Sequence, residues 1–173
     1  MRFPALSGDD AGSSGALWRP LGHDGAVTTT RVRRHLAAPR DRVYRALIDP
    51  AAIVRWKVPA EMTCEVHEFD GTSFRISLTY DAPDRVGKTT GHTDTYRGRF
   101  VRLVPDETVV EVDEFESGDP AMRGEMTITI TLSDTEGGTA LVAVHEGVPA
   151  GVSDADNEAG WREALARLAA LVE

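Results

Sequence analysis

The stretch Ala38–Pro59, APRDRVYRALIDPAAIVRWKVP, writes two short helices back to back, and it constrains the fold more than any other part of the chain. Pro39 suits a first helical position, where the N–H it lacks has no partner to lose. Val43, Tyr44, Leu47 and Ile48 recur at helical spacing and form one apolar face. Asp49-Pro50 stops that helix and caps the next, which reaches only to Trp56 before Pro59.

The flanks set these helices in an unusual order. Thr28, Thr30 and Val32 suit a strand between Val27 and Leu36. Residues 1–26 differ in composition: Ser7–Gly15 reads SGDDAGSSG, and only Phe3, Leu17, Trp18 and Leu21 offer anchors. A flexible N-terminal arm over 1–26 and one domain over 27–173 are expected. After the helices, Met62, Cys64 and Val66 alternate with polar residues, and Asp70-Gly71 makes a turn. Phe74, Ile76, Leu78 and Tyr80 give the clearest period-two signal. Strands over 93–104, 108–115, 126–132 and 139–146 follow. The chain closes on a helix that Ser153 can cap, with Trp161, Leu165, Leu168 and Val172 on one apolar stripe.

Short turns imply a mainly antiparallel sheet. A helix with one apolar face must lie across one face of it, so the fold class is α+β. A curved sheet gripping a single helix can leave a ligand cavity between the two.

The segment APRDRVYRALIDPAAIVRW resembles the opening signature of the START-like, or SRPBCC, helix-grip superfamily. Within it the chain most resembles the homologues of the heat-shock protein 90 ATPase activator. The further matches are EVHEFDGTSFRISL, YRGRFVRLVPDETVVEVDEF, GEMTITITL with GGTALVAVHEGVP, and NEAGWREALARLAALVE. The resemblance spans about residues 27–173. It implies a curved seven-stranded sheet wrapped on the C-terminal helix, with a cavity for a small, largely apolar molecule. It implies no universal catalytic motif, so no catalytic residue is carried over.

Candidate ligand-binding residues follow from this frame. Trp56, Tyr80, Tyr96 and Trp161 are aromatics expected at the cavity, though each alone also suits an ordinary core. Leu165 lies on the final helix's apolar stripe, and Ala143 shares a strand face with His145, the histidine expected at the cavity mouth. Asp106–Asp119 holds seven acidic residues and no basic one. Glu111 there either enters the cavity or pairs with Arg99. For Asp113 the favoured expectation is a cross-strand pair with Arg97, with Val110 and Val112 buried on the opposite face. Register decides, because a slip of one residue exchanges the faces.

The remaining features narrow the classes. The five histidines are scattered, with no HExxH or CxxC setting, so no metal or cofactor is expected. A formal charge of −9 argues against a nucleic-acid surface. No apolar run reaches membrane-spanning length. Cys64 is the only cysteine, which is compatible with a cytoplasmic location. Three functions stay in play. The first is a carrier or sensor of a small apolar molecule. The second is a polyketide cyclase- or hydratase-like enzyme using Glu111, His145 or Tyr96. The third is a co-chaperone-like module with a chaperone partner. A homodimer is compatible with each.

Overall fold

Alternation, turns and caps place the elements of a computed structural model that describes residues 28–173. The chain runs β1 (Thr29–Leu36), α1 (Arg40–Ile48), α2 (Pro50–Trp56), β2 (Met62–Phe69), β3 (Ser73–Tyr80), β4 (Thr93–Val104), β5 (Thr108–Phe115), a 3-10 turn (Pro120–Met122), β6 (Met126–Thr135), β7 (Gly138–Glu146) and α3 (Asp154–Val172). The seven strands form one antiparallel sheet in the order β1-β7-β6-β5-β4-β3-β2. This is the α+β helix-grip arrangement, with two short helices after the first strand and a long one at the end. The expected arm over 1–26, with Trp18, lies outside the described residues.

The caps show how locally the helices are specified. Asp49 Oδ1 accepts from the Ala51 N–H at 3.0 Å and Pro50 opens α2. Ser153 Oγ accepts from the Asp156 N–H at 3.1 Å at the start of α3. Pro39 departs from expectation by one position. It is the extended N-cap of α1 (φ −69°, ψ 151°), and its carbonyl accepts from the N–H groups of Arg42 and Val43. A proline gives up no helical N–H bond at either position.

Trp161, Leu165, Leu168 and Val172 are all buried, and α3 packs against β1 and α2. The inner face of the sheet carries Val32, Leu36, Ile76, Tyr96, Phe100, Val109, Ile128, Ile130, Leu141 and Ala143, which join α1, α2 and α3 in one core. Among the described residues no helix is long and apolar enough to cross a membrane.

One irregularity decides the site. Between Phe100 and Arg102 the β4–β5 ladder slips, so Phe100 opposes Glu111, Arg99 opposes Val112 and Gly98 opposes Asp113. The bulged residue is Val101, half exposed on the edge of the ladder. The pairing expected of Arg97 with Asp113 is thereby overturned. Asp113 is buried on the inner face, Arg97 bonds Glu116, and Val110 and Val112 fall on the outer face. Glu111 does not pair with Arg99 either; Arg99 bonds Glu125 at 2.8 Å.

Candidate functional site

Helix α2 ends at Trp56, whose indole Nε1 donates to the Ala46 carbonyl at 2.9 Å and fixes the turn. The next residue, Lys57, leaves helical geometry (ψ 43°) and its side chain, only 12% exposed, runs into the interior. There Nζ donates to Glu111 Oε1 and lies 3.3 Å from Asp113 Oδ2. It sits 5.3 Å from the centre of the Phe74 ring and 5.5 Å from that of Tyr96. One ammonium thus faces two buried carboxylates and two aromatic rings, a setting that favours a cation from every side.

Space for the second carboxylate comes from Gly98, opposite Asp113 on β4. A Cβ there would collide with Asp113 Oδ1 and the Phe74 ring. Oδ1 itself is buried and has no hydrogen-bond partner.

A second polar group lies two strands away on the same face. His145 opposes Ile128, which opposes Glu111. Its Nδ1 accepts from Trp161 Nε1–H at 3.0 Å and from the Asn157 amide at 3.2 Å. Asn157 also donates to Thr30 Oγ1 at 2.9 Å. Because an indole can only donate, Nδ1 carries the lone pair and the proton of the neutral ring resides on Nε2. That Nε2 is buried and without a partner.

The electrostatics follow from burial and charge. For Lys57, burial favours the neutral amine, but Asp113 and Glu111 outweigh it and hold the pKa well above the usual lysine value. Burial, then repulsion from Glu111, raises Asp113 to about 7 against the pull of Lys57. His145 is lowered to about 4, first by burial and then by the Lys57 charge. The Tyr96 phenol is raised, mainly by burial. Cys64, half-buried nearby, is pushed up to about 11 by burial against the Lys57 charge.

These shifts set opposite pH dependences. The raised Asp113 pKa contributes stability below about pH 4 that is lost as pH rises through about 7. The lowered His145 pKa contributes stability above about pH 6.5 that is lost as pH falls through about 4. Asp113→Asn should therefore gain in melting temperature relative to the wild type as pH rises from about 4 to about 8. Thermal melts of both proteins across that range check the sign. A difference that stays flat or reverses would refute the buried carboxyl.

The structure gathers most of the expected residues. Trp56, Tyr96, Glu111, Ala143, His145, Trp161 and Leu165 are all buried. Tyr96 and Glu111 flank Lys57, while His145 and Trp161 bond one another. Tyr80 is only half-buried, at the far end of β3, away from the central cluster, and Lys88 near it pairs with Asp94. Sequence reasoning missed Lys57, Asn157 and the inward turn of Asp113. A signal for Lys57 existed. Of 19 basic residues only Lys57 and Lys88 are lysines, and both pair with buried aspartates.

The concavities described do not open on the Lys57 cluster, although the larger one shares Phe74 and Gly98 with it. A groove of about 510 Å³ runs past Glu68, Ser73, Arg75, Arg97 and Glu125. A shallower one of about 370 Å³ lies by Arg42, Asp49, Arg55 and Leu171. Neither includes Lys57, Tyr96, His145 or Trp161. Between the Phe74 and Tyr96 rings the interior is taken up by the Lys57 side chain itself.

Residues 37–173 match the model of the family described as Activator of Hsp90 ATPase homolog 1-like protein. A solved protein of Chromobacterium violaceum is 36% identical, with a TM-score of 0.75 over 84% of this chain and 96% of that one. A protein of Rhodobacter sphaeroides is 22% identical, with a TM-score of 0.63 over 83% of this chain and 91% of that one. One from Mycobacterium smegmatis is 19% identical, with a TM-score of 0.64 over 85% and 97%. The last two show a shared fold alone. No curated protein matches the chain.

Proposed function

The chain belongs to the family of Activator of Hsp90 ATPase homolog 1-like proteins, and from that premise we propose that it binds a small, largely apolar molecule between the sheet and α3, as a carrier or sensor. The carrying observation is the Lys57–Glu111–Asp113 cluster, set among Phe74, Tyr96 and the aliphatic core. Buried ion pairs of this kind are often no more stable than apolar replacements of the same volume. Stability alone therefore gives little reason to keep one at the place where the sheet and helices converge. A binding role does, because a few fixed polar groups in an apolar lining orient a ligand.

N-phenyl-1-naphthylamine, a neutral apolar fluorophore, tests the reading. The wild type should show a saturable rise in its emission. Ala143→Phe, which fills volume on the inner face beside Ile130 and Val32, should abolish that rise while the protein stays folded by circular dichroism. An equal response from both proteins, or none from the wild type, would refute binding at this face. Mass spectrometry of molecules retained through purification would then name the natural ligand class.

One observation favours a second reading, a polyketide cyclase- or hydratase-like enzyme. Asp113, raised to about 7, can hold or release a proton near neutrality beside the fixed Lys57 ammonium. In that reading Asp113 is the acid–base group in place of Glu111, and the Tyr96 phenol and His145 Nε2–H are donors to a substrate oxygen.

A further inference from the structure

We propose that the groove where α1, α2 and the end of α3 meet is a docking site for an acidic segment of a partner protein, one that carries aliphatic side chains between its carboxylates. The site is separate from the interior cluster and does not depend on the binding role proposed there.

Charge is unevenly spread along the chain. Residues 31–57 hold eight arginines and lysines against two acids, Asp41 and Asp49. Residues 58–173 hold nine basic residues against 23 acids. Part of the basic excess converges in space. The groove of about 370 Å³ is lined by Arg42 and Arg45 of α1 and by Arg55 of α2, all three exposed. Arg42 and Arg45 are three residues apart and so neighbours on the helix surface. Beneath the arginines, Ala46 and Val172 are buried and Ala52 and Leu171 half-buried, which makes the floor apolar.

The acids at hand are engaged elsewhere or in part. Asp41 Oδ2 accepts from a single N–H group of Arg45, at 2.8 Å. Asp49, the one acid of the lining, caps α2 through the Ala51 N–H. The side chain of Glu173, next to Val172, accepts from the Ala37 N–H at 3.1 Å. Arg42 and Arg55 have no ion pair among the described residues. Guanidinium groups take carboxylates in a fork geometry, so three of them around an apolar floor fit carboxylates flanking an aliphatic side chain.

The remainder of the chain decides for a narrow occupant. Screening in physiological salt reaches only about 8 Å. A short segment lying in the groove therefore meets the arginines, while an anionic membrane or a duplex would also lie against the acidic surface contributed by residues 58–173.

Fluorescence anisotropy with the full chain tests this. The probe is a labelled peptide of glutamates interrupted by two leucines. One control peptide has glutamines for the glutamates, and another has serines for the leucines. The acidic leucine peptide should saturate with a Kd below about 1 mM, and each control should bind at least about fivefold more weakly. Arg42→Gln combined with Arg55→Gln should weaken the acidic leucine peptide at least about fivefold. Arg102→Gln combined with Arg123→Gln changes the net charge equally at exposed positions outside the groove, and should leave affinity within about twofold. All four positions are exposed, and circular dichroism verifies that both variants fold. No saturation by the wild type, equal losses in the two arginine pairs, or equal binding of the serine peptide would overturn the proposal. So would co-sedimentation with phosphatidylserine vesicles that the Arg42 and Arg55 substitutions abolish, which would make the groove a membrane contact instead.

Discussion

Lys57→Met should lower the free energy of unfolding by about 3–5 kcal/mol, the usual cost of stripping a buried ion pair of one partner. The reason is what remains. Glu111 and Asp113 side chains are only 7% and 4% exposed, and without the ammonium two like charges would share a dry site. The pair would then be forced to take up protons, and the loss should shrink as pH falls. Adding Glu111→Gln and Asp113→Asn to Lys57→Met should recover most of the stability, because the uncompensated charges are gone. Urea unfolding of the single and triple variants measures both effects. A single variant within about 1 kcal/mol of the wild type would mean that the cluster is not an ion pair in solution.

The second large effect lies on α3. Leu165 and Leu168 are fully buried on the stripe that faces the sheet and α2, so alanine at either should cost about 2–5 kcal/mol through lost transfer energy and an unfilled cavity. Arg162, off that stripe, is exposed and bonds only Glu158 one turn away. Its alanine variant should stay within about 0.5 kcal/mol of the wild type. Equal losses at Leu168 and Arg162 would show that the helix packs by another face.

These two predictions differ in how early they could be made. The α3 stripe is legible from residue spacing, because 3.6-residue periodicity and the Ser153 cap are local and do not depend on what the helix meets. The same holds for α2, where Asp49-Pro50 and the side chain of Asp49 suffice. The strands were legible too, from period-two runs such as Phe74–Tyr80. The aromatic members of the site came with them, since apolar parity alone puts Tyr96 and Trp161 inside.

The charged members did not. In Val109-Val110-Glu111-Val112-Asp113 valines stand on both parities, so alternation does not choose a face. The choice is made by the bulge at Val101, which slips β5 by one residue against the outer part of β4. Bulges depend on how two strands twist around a shared core, and that is not written in either strand alone. Lys57 was hidden for a related reason. As the first residue after a helix its side chain has no periodic face, and only the packing of Trp56 on Ala46 turns it inward.

By itself, then, the sequence determined the elements, their order and the apolar stripes, since these rest on nearest-neighbour chemistry and helical or strand periodicity. The tertiary structure alone decided that two acidic residues turn inward, that a lysine meets them, and that Asp113 Oδ1 and His145 Nε2 stay without partners. Those outcomes depend on register and on long-range burial, and a shift of a single residue would reverse them.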